Sequence, residues 1–231
     1  MLVAIAIVPS APVLVPELAG AAAAEVDEAR AAVIAAAASL PPRWVVVGVD
    51  RADRVLHPET TGTFAGFGAD LRVRLSPRTG DRAEQLVELP LCALFAGWAR
   101  GQARPEASAE VRVYAETHDA HAAQARGRQL RAEIDAVAEP TGVLVVADGV
   151  TTLTPTAPGG YQPRDAAIQR TLDDALACGD IATLGRLPAQ VVGRVAFQVL
   201  AGLAAPAPRS AKELYRGAPY GVGYFAGVWQ P

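Results

Sequence analysis

Short, unbroken apolar runs alternate with longer segments of helical spacing along almost the whole chain. Residues 2–8 (LVAIAIV) form the first run, closed by Pro9, Pro12 and Pro16, and predict a buried strand. Residues 19–39 are rich in alanine and carry Glu25, Asp27, Glu28 and Arg30 on one side. Alanine has the highest helix propensity, and Pro41-Pro42 supplies the stop, so a helix is predicted there. Residues 43–49 predict a second buried strand. The glycine-rich stretch 61–68 interrupts the alternation, and residues 71–75 alternate apolar side chains with arginine, as an edge or half-exposed strand does. Helical spacing returns at 89–100, a strand at 110–115 and a charged amphipathic helix at 119–137. Residues 142–147 (GVLVVA) have the pattern of a central strand. Helices follow at 164–178 and 188–203, and residues 223–229 predict a last strand.

Continuous Val/Ile/Leu strands between helices imply an α/β fold with a mainly parallel or mixed central sheet and helices on both faces. There is no internal repeat or low-complexity linker, and residues 204–208 read as a loop before a C-terminal tail. A single domain over residues 1–231 is expected. In open α/β sheets ligands sit beyond the carboxyl ends of the strands. That rule selects four loops: residues 9–17, 50–68, 116–121 and 148–161.

Composition narrows the function classes. Of 231 residues 51% are hydrophobic and 19% charged, which argues for a packed core and against disorder. A net charge of −3 provides no basic footprint for nucleic acid or an acidic membrane. The apolar N-terminus has no basic segment before it and is interrupted by three prolines, so it reads as neither a signal peptide nor a membrane span. A cytoplasmic location is expected. Cys92 and Cys178 have no metal-like spacing and read as buried free thiols in a reducing compartment.

The four loops carry the candidate chemistry. Ser10 follows the first strand without the Gly-x-Ser-x-Gly elbow of a nucleophile. Asp50 ends the second strand beside Arg51, and His57 follows in the same loop. His118 and His121, three apart at a helix start, share a face or stand as two exposed imidazoles with Asp119 as the cap. The loop after the central strand is the most distinctive: Asp148, then Thr151, Thr152 and Thr154, then Pro-Gly-Gly and Tyr161. It has no Gly-Lys-Ser/Thr and no Gly-x-Gly-x-x-Gly, so it binds neither nucleotide phosphates nor a dinucleotide in the usual way.

Taken in order, these segments resemble the class III extradiol ring-cleavage dioxygenase superfamily, which includes LigB-like catalytic subunits and Memo-type proteins. VPSAPVLVPEL (residues 8–18) is similar to the family's strand and His-Pro-Pro-leucine-proline-glutamate stretch. WVVVGVD (44–50) stands where the family has a strand ending in Ser/Pro-His. ADGVTTLTPTAPGGY (147–161) resembles its Gly-Asp-x-Ser-His-x-Leu-Thr-Pro loop, and VLAGL (199–203) and APYGVGYFAGVW (218–229) resemble its late helix and terminal strand. The matches spread over nearly the whole chain.

The resemblance implies a LigB-like α/β fold and, in the family, ferrous iron held by two histidines and a glutamate, with a further histidine handling protons. In this chain Ser10 takes the first histidine's place, Asp50 stands at or beside the second, and Thr151 stands for the proton-handling one. The glutamate position falls near Val191, and residues 188–202 contain no Asp or Glu. The expectation is therefore a protein without the family's iron site and inactive in its reaction. It would be a non-catalytic or repurposed member binding a small aromatic or anionic molecule, or a partner. Ser10, Asp50, Arg51, His57, Asp148, Thr151, Thr152 and Tyr161 are the candidate ligand-binding residues, and no resident cofactor is expected. The alternative is an active metal-dependent dioxygenase acting on a catechol with Fe2+ on a non-standard ligand set of His57, Asp50 and Asp148. Metal-free hydrolysis using either aspartate as base lacks an activated nucleophile. Because the resembled family commonly associates, a homodimer is also expected.

Overall fold

The computed structural model describes residues 1–77 and 85–231. In chain order these form β1 (Leu2–Val8), α1 (Pro16–Ala19), α2 (Asp27–Ala38), β2 (Arg43–Asp50), β3 (Arg54–Leu56), β4 (Thr61–Thr63) and β5 (Arg72–Arg74). Then follow α3 (Leu91–Ala103), β6 (Ser108–Ala115), α4 (Ala120–Asp135), β7 (Thr141–Val146), α5 (Asp165–Cys178), α6 (Ile181–Leu184), α7 (Arg194–Leu203), β8 (Ser210–Gly217) and β9 (Tyr224–Gln230).

Seven strands make one mixed sheet in the order β3-β6-β2-β7-β1-β9-β8. The inner four, β6, β2, β7 and β1, are parallel; β3 and β9 flank them antiparallel, and β8 pairs antiparallel with β9. The α/β class, the mainly parallel sheet and the central place of β7 all agree with the apolar pattern. Each buried strand divides its residues between two cores. Ala4, Ala6, Val8, Trp44, Val46, Leu144 and Val146 face α2 and α3. Ile5, Ile7, Val45, Val47, Val143 and Val145 face the layer of α4, α5 and α7. A strand covered on both sides has no reason to alternate polarity, hence the unbroken apolar runs.

The α4–α7 pair comes together backbone to backbone. A Cβ on Gly127 would lie 2.0 Å from the Val199 carbonyl oxygen, and one on Gly202 would lie 2.1 Å from that of Gln124. No helix among the described residues is long and apolar enough to cross a membrane.

Several elements differ from the pattern reading. The helix expected over residues 19–39 is broken: Gly20 takes a positive φ of 53°, a 3-10 segment spans Gly20–Val26, and the regular helix starts only at Asp27. Arg30 reaches back across the break to the carbonyls of Leu14 and Ala23. The helix expected from residue 188 begins at Arg194, because the N–H groups of Val192 and Gly193 bond to the carbonyls of Gly149 and Asp148. The strand around residues 71–75 pairs, among the described residues, with β4 in a separate two-stranded ribbon. The C-terminal tail contains an edge strand, β8. Both cysteines are free, but only Cys92 is buried; Cys178 is exposed at the end of α5.

Candidate functional site

The parallel register sets the level of the strand-end residues. Val8 pairs with Val146, and the Ala147 N–H donates to the Val8 carbonyl at 3.0 Å, so Ser10 and Asp148 leave their strands side by side. The Ser10 N–H then donates to Asp148 Oδ1 at 2.8 Å. Beyond β7 the chain pairs with the start of β9 instead: the Gly149 N–H donates to Gly223 and the Gly223 N–H to Val150, both at 2.8 Å. Glycine is required at both places because the Gln169 side chain lies against them, and a Cβ on either would come within 2.1 Å of its Oε1. Gln169 is buried and fully used. Its Oε1 accepts the Val150 N–H at 2.9 Å and its Nε2 donates to Asp173 at 2.8 Å. This plug fixes the angle at which Asp148 leaves the sheet.

Asp148 keeps a minor part of its surface open to solvent but lies deep among protein atoms. Burial pushes its carboxyl up to about 6, and only the Ser10 N–H pulls the other way. No cation among the described residues pairs with it. Tyr224, the first residue of β9, is 4% exposed and its hydroxyl has no hydrogen-bond partner among the described residues. Burial raises its pKa, followed by the charge of Asp148 and the neighbouring hydroxyls of Tyr215 and Tyr220. The Tyr220 hydroxyl donates to Glu25 at 2.8 Å, and Glu28 acts on Tyr215. The site is thus one buried carboxylate, a serine backbone donor and three tyrosines on the α2 side of the sheet.

The other expected residues distribute unevenly around it. Asp50 is half-buried at the end of β2, but pairing of β2 with β7 stops at Val47–Val145. Its charge acts on Cys92 of α3, whose thiol burial pushes up to about 12, and it does not contribute to the shift of Asp148. The two aspartates are therefore not a coupled acid–base pair. Arg51 is exposed and forms no ion pair among the described residues. Thr151 is half-buried under Gly159, and Thr152 donates to Asp165 at the start of α5, a structural use of that hydroxyl. Tyr161 is 50% exposed and makes no hydrogen bond.

His57 is corrected outright. β3 turns the chain back antiparallel to β6, pairing Leu56 with Val111, so His57 emerges toward the amino-terminal ends of the strands, exposed and away from Asp148. The His118–His121 pair does not converge either. His118 Nε2 bonds Asp53 Oδ1 at 2.7 Å, His121 is exposed, and Asp119 caps α4 through the Ala122 N–H at 2.8 Å. A cleft of about 260 Å³ lies between β3, β6 and α4, where Arg126 pairs with Asp53, Arg112 with Glu110 and Glu133, and Arg54 donates to the Glu88 carbonyl.

The architecture is a known one. The chain is similar to the uncharacterized protein JW3007 from Escherichia coli K12, whose crystal structure it matches with a TM-score of 0.63 at 10% identity, over 98% of this chain and 99% of that one. At that identity the likeness establishes the fold and nothing of the chemistry. No family model and no curated protein matches the sequence.

Ferrous iron, which the dioxygenase resemblance implies, does not suit the donors at this site. Its positions hold a serine, an unpaired aspartate on the neighbouring strand, a threonine under a loop and Val191, which is fully buried in the core. Asp148 offers one carboxylate, already bonded to a backbone N–H. Among the described residues no three His, Cys, Asp or Glu side chains group closely enough to hold a metal. Imidazole and carboxylate together make the iron(II) facial triad, and no imidazole reaches the strand ends near Asp148.

The tyrosines are what sequence reasoning missed. Tyr220 and Tyr224 sit in the quoted APYGVGYFAGVW segment, which reads as a strand. The available signal was position, a tyrosine opening a strand that pairs antiparallel with β1 and so begins at the ligand-binding edge.

Proposed function

We propose that this chain is an extradiol-dioxygenase-like protein without the iron site, repurposed to bind a small molecule beyond the carboxyl ends of β1 and β7. The observation that supports this reading most directly is Asp148. A carboxylate is held at a strand end by the Ser10 N–H, at a cost in desolvation, with no protein cation to neutralise it. Fold stability gives no reason to keep such a group, whereas a ligand does. The dioxygenase alternative needs His57 beside Asp50 and Asp148, and His57 lies at the other end of the sheet.

Anaerobic reconstitution with iron(II), desalting and metal analysis, followed by oxygen uptake with catechol, tests the reading. The expected result is retained iron well below one atom per chain and no oxygen uptake. Near-stoichiometric iron together with ring cleavage would overturn it.

A further inference from the structure

We propose that the strand-end site binds an organic cation, a small primary or substituted ammonium group carried on an apolar body, with Asp148 as its counter-ion and Tyr224 beside it. This rests on the small-molecule-binding reading above and names the ligand class.

Three independent features support it. The first is charge. Asp148 forms no ion pair among the described residues, and no cation acts on it. An anionic ligand would meet the like charge of Asp148 with no cation beside it, and Arg51, the one cation expected to receive it, is exposed.

The second is the unpartnered hydroxyl of Tyr224. A tyrosine 4% exposed normally finds a hydrogen-bond partner. This hydroxyl has none among the described residues, yet it is not one of the sealed, unpartnered side-chain atoms there, which are Arg104 Nε and Gln198 Oε1. It therefore opens onto space that water reaches, on the side where it feels Asp148. The second oxygen of Asp148 is likewise unbonded and unsealed. An ammonium group has N–H donors for both oxygens.

The third is the aromatic wall. Tyr224 lies beside the carboxylate and Tyr215 and Tyr220 lie beside Tyr224, and tyrosine faces attract cations while offering apolar area to the rest of the ligand. Tyr220 is held in place by Glu25 at 2.8 Å. Carboxylate plus aromatic faces without a competing arginine or lysine is the chemistry that selects ammonium over alcohol or carboxylate.

Calorimetric titration at pH 8 with benzylamine, benzyl alcohol and benzoate separates the classes, since the three share one ring and differ in charge. Benzylamine should bind, and the alcohol and benzoate should bind at least about tenfold more weakly, the value of a charge-assisted hydrogen bond. Asp148→Asn should weaken benzylamine about tenfold or more, and Tyr224→Phe by a smaller factor, with Arg51→Ala unchanged. Equal or tighter binding of benzoate at a site sensitive to Asp148→Asn would overturn the cation proposal while leaving small-molecule binding intact. Binding of none of the three would also overturn it. Benzylamine binding that ignores Asp148→Asn would place the cation elsewhere and refute it too. Iron-dependent ring cleavage would instead remove the reading beneath it.

Discussion

Replacing Asp148 with asparagine removes an ionisable group and keeps the shape, because the amide oxygen can still accept the Ser10 N–H now bonded at 2.8 Å. Burial holds the native carboxyl at about 6, against 3.8 for an unperturbed aspartate. The native state therefore keeps this proton to higher pH than the unfolded chain does. The resulting stability is fully present below about 3.8 and is lost as the pH rises through about 6. At about 1.36 kcal/mol per pH unit, a difference of roughly two units makes the ionised group cost the fold about 3 kcal/mol at pH 8. The asparagine variant should thus exceed wild type by about 2–3 kcal/mol at pH 8, a rise in Tm of about 5–10 °C for a chain of this size. The gap should shrink to a few tenths of a kcal/mol, roughly, at pH 4. Urea denaturation of both proteins at pH 4, 6 and 8 measures it. Asp173, which burial also raises to about 6, makes both curves fall with pH, so the difference between them carries the result. An asparagine variant less stable than wild type at pH 8, or a gap that does not change between pH 4 and 8, would show that burial is not what governs this carboxyl. A gain in stability paired with loss of ligand binding is the expected signature of a functional charge held against the interest of the fold.

Two further substitutions test the framework that positions the site. Gly127→Ala gains about 1 kcal/mol of helix propensity, but its Cβ would lie 2.0 Å from Val199 O and 2.7 Å from Leu203 N, backbone atoms that cannot swing aside. A net loss of about 2 kcal/mol or more is expected in urea denaturation, and any stabilisation would mean that α4 and α7 are not in backbone contact. Gln169→Leu strips the Val150 N–H of its acceptor and Asp173 of its amide donor in a buried setting. It should cost about 2–4 kcal/mol and open residues 148–161 to limited proteolysis; wild-type resistance to protease would refute the plug.

What the residues make legible is what depends on their immediate neighbours. β1, β2, β7 and β9 are readable because a strand buried on both faces must be apolar throughout, and β6 because its apolar side chains alternate with Glu110 and Arg112. β3 and β8 are not: an edge strand such as Ser210–Gly217, half exposed and polar, carries the same pattern as a loop. The break at Gly20 also escapes, since an alanine run favours helix wherever packing leaves it free to form one. For the site, the strand-end rule reaches Ser10 and Asp148, because that rule is topological. It fails for His57, since nothing in the loop sequence announces that three residues, Arg54–Leu56, will pair backward along β6.

By itself, then, the sequence determines the α/β layering and the strand ends at which polar residues collect, since both follow from periodicity. Only the tertiary structure decides what those residues are chemically. Asp53, just before β3, and Asp148, just beyond β7, are the same side chain in different surroundings. Around Asp53 burial is outweighed by the Ala115 N–H, His118 and Arg126, and the carboxyl is held below its ordinary value. Asp148 is far more deeply buried than Asp53, it meets one N–H and no cation among the described residues, and its carboxyl rises to about 6. Depth of burial and partners together make this difference, and the partners come from 62 residues away at Ala115 and 138 residues away at Ser10, brought there by strand register and helix packing.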